Sequence, residues 1–132
     1  MANALYTSYK TRMLTSGLDM TSAAINVVLV DTATYSVDLE IDDNYTGIAG
    51  GAVLATGTLG SKAVITGSFD AADVTFSSVT GAESEAVVIY YDDAGNEANS
   101  TLIAYIDTAT NLPVTPNGGD ITVSWGDKIY RF

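Results

Sequence analysis

The stretch Leu102–Phe132, LIAYIDTATNLPVTPNGGDITVSWGDKIYRF, decides how the rest of the chain is read. Leu102 to Ile106 alternates large and small apolar side chains and predicts a strand. Asp107 to Asp120 holds both prolines, Pro113 and Pro116, and the pair Gly118-Gly119, so no regular element crosses it. Ile121 to Trp125 predicts a second strand with Ile121, Val123 and Trp125 on one face. Ile129-Tyr130-Arg131-Phe132 follows. Aromatic rings gain about 1.5–3 kcal/mol each on burial, so this segment is expected to dock rather than fray.

Moving towards the N-terminus, Glu85 to Tyr91 (EAVVIYY) is a nearly continuous apolar run and predicts a central strand. The polar DDAGNEANS of Asp92 to Ser100 is the expected hairpin tip between it and Leu102. Val74 to Val79 predicts a further strand after the polar break Asp70–Asp73. Ala52 to Leu59 and Lys62 to Phe69 read as a strand pair around Gly60-Ser61, and Asn44 to Gly51 as irregular. Tyr35 to Asp43 (YSVDLEIDD) alternates apolar and acidic residues, which predicts a half-exposed strand with Asp38, Glu40 and Asp42 on its wet face. Ile25 to Asp31 is β-branched and predicts the second central strand.

One helix is expected, over Asn3–Leu14. Leu5, Tyr9 and Met13 form its apolar stripe, Asn3 serves as N-cap and Gly17 as stop. It reads either as a helix lying against a sheet or as an arm docked on a neighbouring subunit. About eight short strands with turn signals every 8–12 residues point to an all-β fold, an antiparallel β-sandwich or jelly-roll-like single domain with a short N-terminal helix. Residues 1–17 would be the helix or arm and residues 18–132 the sandwich.

At 132 residues the chain can bury roughly two-thirds of its unfolded surface without a staple. It has no cysteine and no histidine, which removes thiolate chemistry, the commonest general base and the commonest zinc ligand. Sixteen acids against five bases give a net charge of −11. Such a surface repels nucleic acids and anionic membranes and favours basic partners. MANALYTSYK lacks the basic-then-apolar order of a signal peptide and no run approaches a membrane span, so folding in a cytoplasm is expected.

No constellation carries convincing chemistry. Asp38, Glu40, Asp42 and Asp43 have the loose spacing of a calcium site or a glycosidase pair, but a solvated strand face explains them. Asp92 to Glu97 offers oxygen ligands around Gly95 without the order of a calcium loop. Gly50-Gly51 and Gly118-Gly119 lack phosphate-loop spacing. No serine or threonine has an activating partner of known signature. Trp125 with Tyr90, Tyr91 and Tyr105 reads as core, or else as a sugar-stacking platform. The chain is therefore expected not to be an enzyme and to need no cofactor or metal.

The run LIAYIDTATNLPVTPNGGDI, followed by an aliphatic strand and a tryptophan, resembles short proteins encoded in tailed-phage structural gene clusters. EAVVIYYDDAGNEANS and the opening MANALY, a short helix and INVVLVDTATYSVDL resemble the same group. Related chains carry a longer Asn/Gly-rich turn after the tryptophan, where this one has only Gly126-Asp127. The resemblance implies a virion structural protein, in particular a capsid decoration (cement) protein that binds the mature head at capsomer junctions. The implied partners are the major capsid protein or other virion proteins and further copies of the chain, as trimer or dimer, with no nucleic acid and no membrane. The implied location is the capsid surface, after assembly in the host cytoplasm. Contacts are expected from Tyr6, Tyr9, Lys10, Arg12 and Met13 on the helix and from Lys128, Tyr130, Arg131 and Phe132. Four of the five bases lie in these two segments. The alternatives are a tail, connector or tail-fibre component and a glycan- or receptor-binding module.

Overall fold

In the computed structural model, residues 3–48, 50–125 and 128–131 are described. The apolar runs singled out above form the middle of the molecule: β2 (Ile25–Val30), β7 (Ala86–Tyr91) and β8 (Leu102–Ile106). With β1 (Ala4–Leu5) and β3 (Val53–Thr58) they make an antiparallel five-stranded sheet of order β1-β8-β7-β2-β3. Five of the six residues of β2 are buried, as are all five of β8, which is why these strands show no alternation.

One face of this sheet carries Val27, Leu29, Val87, Ile89, Ile103 and Ile106. A second layer covers it, split between two small sheets where a jelly roll would have a matching one. In the first, β4 (Ala63–Ile65), β5 (Ser68–Asp70) and β10 (Tyr130–Arg131) lie in the order β10-β5-β4. In the second, β6 (Val74–Phe76) pairs with β9 (Ile121–Val123). Phe69, Phe76, Val123 and Trp125 are their main contributions to the core. The opposite face, with Val28, Val30, Val88, Tyr90, Leu102 and Tyr105, is covered by the irregular chain after β2 through Tyr35, Ile48 and Ala52, together with Tyr6. The fold is all-β, antiparallel and sandwich-like, with one short α-helix among the described residues.

Three expectations are corrected. The helix, α1, spans Thr7–Thr15, because the preceding Ala4–Leu5 pairs with Tyr105 and Ala104 on the open edge of β8. Asn3 is accordingly no cap: its Oδ1 accepts from Asp107 N at 2.9 Å and its Nδ2 donates to Thr108 Oγ1 at 2.6 Å. Gly17 does stop the helix, at φ +77°, with its N–H donating to Arg12 O.

Tyr35–Asp43 is not a strand. Asp38 Oδ1 accepts from Glu40 N and Ile41 N, and Asp42 Oδ2 from Asp38 N. Aspartates that bond their own backbone in this way compete with a β ladder. Finally, β3 pairs with β2 rather than with the segment after Gly60. Lys62–Phe69 folds on itself as the β4–β5 hairpin. Its turn, Thr66-Gly67, has φ +50° and +76°, the doubly left-handed geometry that matches strand twist.

Candidate assembly surface

The two segments expected to make contacts converge in space. α1 follows β1 along the edge of β8: Tyr6 N donates to Ile103 O, Ser8 Oγ to Leu102 O, and Arg12 Nη1 to Thr101 Oγ1. That path fixes the rotation of the helix. It turns Tyr9 and Met13 towards β10 and the β4–β5 hairpin, where Tyr9 OH and Tyr130 OH are hydrogen-bonded at 2.7 Å. Their rings meet edge to face, with centroids 5.9 Å apart, and the Phe69 ring lies 5.4 Å from that of Tyr130.

Between these elements runs an apolar groove of about 280 Å³. Tyr9, Met13, Leu18, Val64, Phe69 and Tyr130 line it, with Asp19 at the rim. Burial pushes the phenols of Tyr9 and Tyr130 above their ordinary pKa. Asp19 is held below the usual carboxylate range by hydrogen bonds from the Thr21 hydroxyl and amide. The groove thus offers apolar area and two mutually bonded phenols, a chemistry of burial rather than of proton transfer. Beyond it, Val64 and Ile65 are 51% and 68% exposed, and Leu14 and Ile41 are also exposed.

A larger depression of about 440 Å³ lies on the other side of α1, lined by Thr7, Thr11 and Thr15, one per turn, together with Asp43 and Asn44. Its hydroxyl walls are well served by water, so it carries less driving force for a contact than the smaller apolar groove.

Of the residues expected to make contacts, Tyr9, Met13 and Tyr130 are brought together around the groove. Tyr9 contributes only an edge, being almost wholly buried. Tyr6 is corrected to core: it is fully buried under the opposite face, bonded to Tyr35 OH at 2.7 Å. Arg12 turns away from the groove, its guanidinium 4.9 Å from the centroid of the Tyr91 ring. Lys10 and Lys128 are exposed. Phe132, the Arg131 side chain and the Gly126-Asp127 turn lie outside the described residues.

The other candidate constellations dissolve into structure. Trp125 is buried with Nε1 donating to Ala72 O, and Tyr90 and Tyr105 are also buried, so they form no stacking platform. Asp92 accepts from Gly95 N within its own hairpin and from Asn26 Nδ2 on β2. No group of three or more acidic side chains converges among the described residues. Sequence reading missed Leu18, Val64 and Phe69, although SKAVITGSF, with Thr-Gly between apolar residues, carries a hairpin signal.

No protein-family model and no curated protein matches this chain.

Proposed function

We propose that this protein is a structural subunit of a tailed-phage virion: a capsid decoration protein that binds the mature head shell at capsomer junctions and stabilises it. The observation that carries the reading is the apolar groove, with the exposed Val64 and Ile65 beside it, on a protein whose net charge is otherwise −11. A surface of that kind suits contact with another protein. The sequence resemblance supplies the setting, and Lys10 and Lys128 supply cations on the segments that frame the groove. Binding the assembled shell and not its separated subunits stabilises the shell by RT ln(1 + [L]/Kd) at each site, summed over many sites.

Sedimentation of the purified protein with isolated expanded heads, and separately with tails, tests the proposal. Saturable co-sedimentation with heads alone is the expected result. Binding to tails alone reassigns the subunit to the tail, and binding to neither overturns the virion role. Lys10→Glu with Lys128→Glu is expected to weaken head attachment a few-fold, since exposed ion pairs contribute about 0.2–1 kcal/mol each. Unchanged attachment would remove these lysines from the contact.

A further inference from the structure

Two of the terminal strands, β3 and β4, are not alike. β3, the last strand of the five-stranded sheet, is approached so closely by β6 that a Cβ on Gly57 would lie 2.7 Å from Val74 Cγ2. Among the described residues β4, the last strand of the three-stranded sheet, pairs only with β5. The hairpin register sets what that edge offers. Ile65 pairs with Ser68 across the two-residue turn, so these two exchange hydrogen bonds; Val64 then turns both its N–H and its C=O away from β5. Among the described residues neither group has another partner. Natural edges of this kind are usually blunted by charge, proline or a bulge. Here the edge carries Val64 and Ile65, both more than half exposed.

Charge identifies the occupant. No aspartate or glutamate occurs from Asn44 to Phe69, although sixteen are spread over the rest of the chain. Two molecules each carrying −11 repel one another over most of their surfaces; β4 itself carries no acid, and the nearest acid on its hairpin is Asp70, paired with Ala63. The edge is also self-complementary. An antiparallel pairing centred on Val64 sets Val64 against Val64 of the second copy. It places Ile65 opposite Ala63, large against small, and Lys62 opposite Thr66, so no like charges face each other.

We infer that two copies of this chain associate edge to edge through β4, about a two-fold axis at Val64, to form a continuous sheet of order β10-β5-β4-β4-β5-β10. The contact is isologous and closes on itself, so it yields a dimer and not a fibre. Three residues of edge are short of the roughly 1,200–2,000 Å² typical of a stable interface, so the dimer dissociates on dilution and gains where copies are held close together. The inference stands on the edge geometry and not on the virion reading, and its tests need no phage heads, so either can fail alone.

Sedimentation velocity over a range of concentrations is expected to show a monomer–dimer equilibrium. Val64→Lys, which sets two ammonium groups face to face, should raise the dissociation constant at least tenfold while leaving the melting temperature within a few degrees. The chain has no cysteine, which allows a second test that leaves the fold intact. Across the proposed axis the two Val64 Cα atoms would lie about 5.5 Å apart, within disulfide range. The two Ile65 Cα atoms, diagonal to each other with an offset of two residues, would lie about 7–8 Å apart, beyond it. Val64→Cys should therefore form a disulfide dimer under mild oxidation much faster than Ile65→Cys. A protein that stays monomeric at all concentrations overturns the inference, as does a dimer indifferent to Val64→Lys, or equal oxidation of the two cysteine variants.

Discussion

Gly57 shows how a single residue decides whether the second layer can close on the first. A Cβ there would meet Val74 Cγ2 at 2.7 Å and Phe76 Cε1 at 3.3 Å, both on buried side chains with little room to retreat. Gly57→Ala is expected to destabilise the protein by about 1–3 kcal/mol in urea unfolding, as overpacking does elsewhere. A loss below a few tenths would mean that β6 yields freely. On the opposite face the deciding residues are polar. Tyr6 OH meets Tyr35 OH at 2.7 Å, and Tyr35 OH donates to Asp42 Oδ2 at 2.8 Å. Tyr35→Phe leaves the fully buried Tyr6 hydroxyl without this partner and should cost about 1–3 kcal/mol. Tyr6→Phe leaves Tyr35 bonded to Asp42 and should cost less. The reverse order in denaturant midpoints would overturn this reading, because Tyr35→Phe removes both bonds and Tyr6→Phe only one. Neither dependence is visible in the sequence: a glycine in a strand and a tyrosine before an acidic run each fit many settings.

Elements divide according to whether local or distant residues form them. The buried strands β2, β7 and β8 were legible because a strand covered on both faces reads as an unbroken apolar run. The alternation of Ile121, Val123 and Trp125 was equally legible, since one face of β9 is buried and Thr122 between them is exposed. Misreadings fell where a partner far along the chain overrides local preference. Ala4 and Leu5 suit a helix but serve as the edge partner of β8, about a hundred residues away. Asp38 and Asp42 sit at strand-like spacing, but their carboxylates bond nearby N–H groups and fold the segment into turns. The candidate surface was half legible for the same reason. Its helix and C-terminal residues were expected to make contacts, but their meeting with the β4–β5 hairpin is a product of the tertiary fold. Asn3, which ties β1 to the residues after β8, tests this division at element scale. Asn3→Ala should cost about 1 kcal/mol. It should also speed amide exchange in Ala4–Leu5 and at Asp107, with no effect in β2 or β7. Acceleration across the whole sheet would mean that β1 nucleates the fold and does not merely cover its edge.

At the scale of the molecule, the two cores share one sheet, and most of the tyrosines are built into them. The hydroxyls of Tyr6, Tyr9, Tyr35, Tyr45, Tyr90, Tyr105 and Tyr130 all have pKa values raised above 10.0, with burial the largest cause in each case. The sign of the consequence follows from proton counting. Below pH 10 both folded and unfolded chains keep these protons, and stability does not depend on them. As pH rises past 10 the unfolded chain loses protons that the folded chain retains, so stability falls. A deeply placed hydroxyl such as that of Tyr6 adds a downward slope of about 1.4 kcal/mol per pH unit in that range. The more exposed Tyr45 adds less because solvent screens it. Tyrosinate absorbance should therefore level off well short of eight equivalents while the fold persists. The remaining rings should then ionise together in one steep step, coincident with loss of the near-ultraviolet circular dichroism. Smooth titration of these seven tyrosines around pH 10 with the dichroism unchanged would place the rings in reach of water. That result would contradict a central sheet packed on both faces.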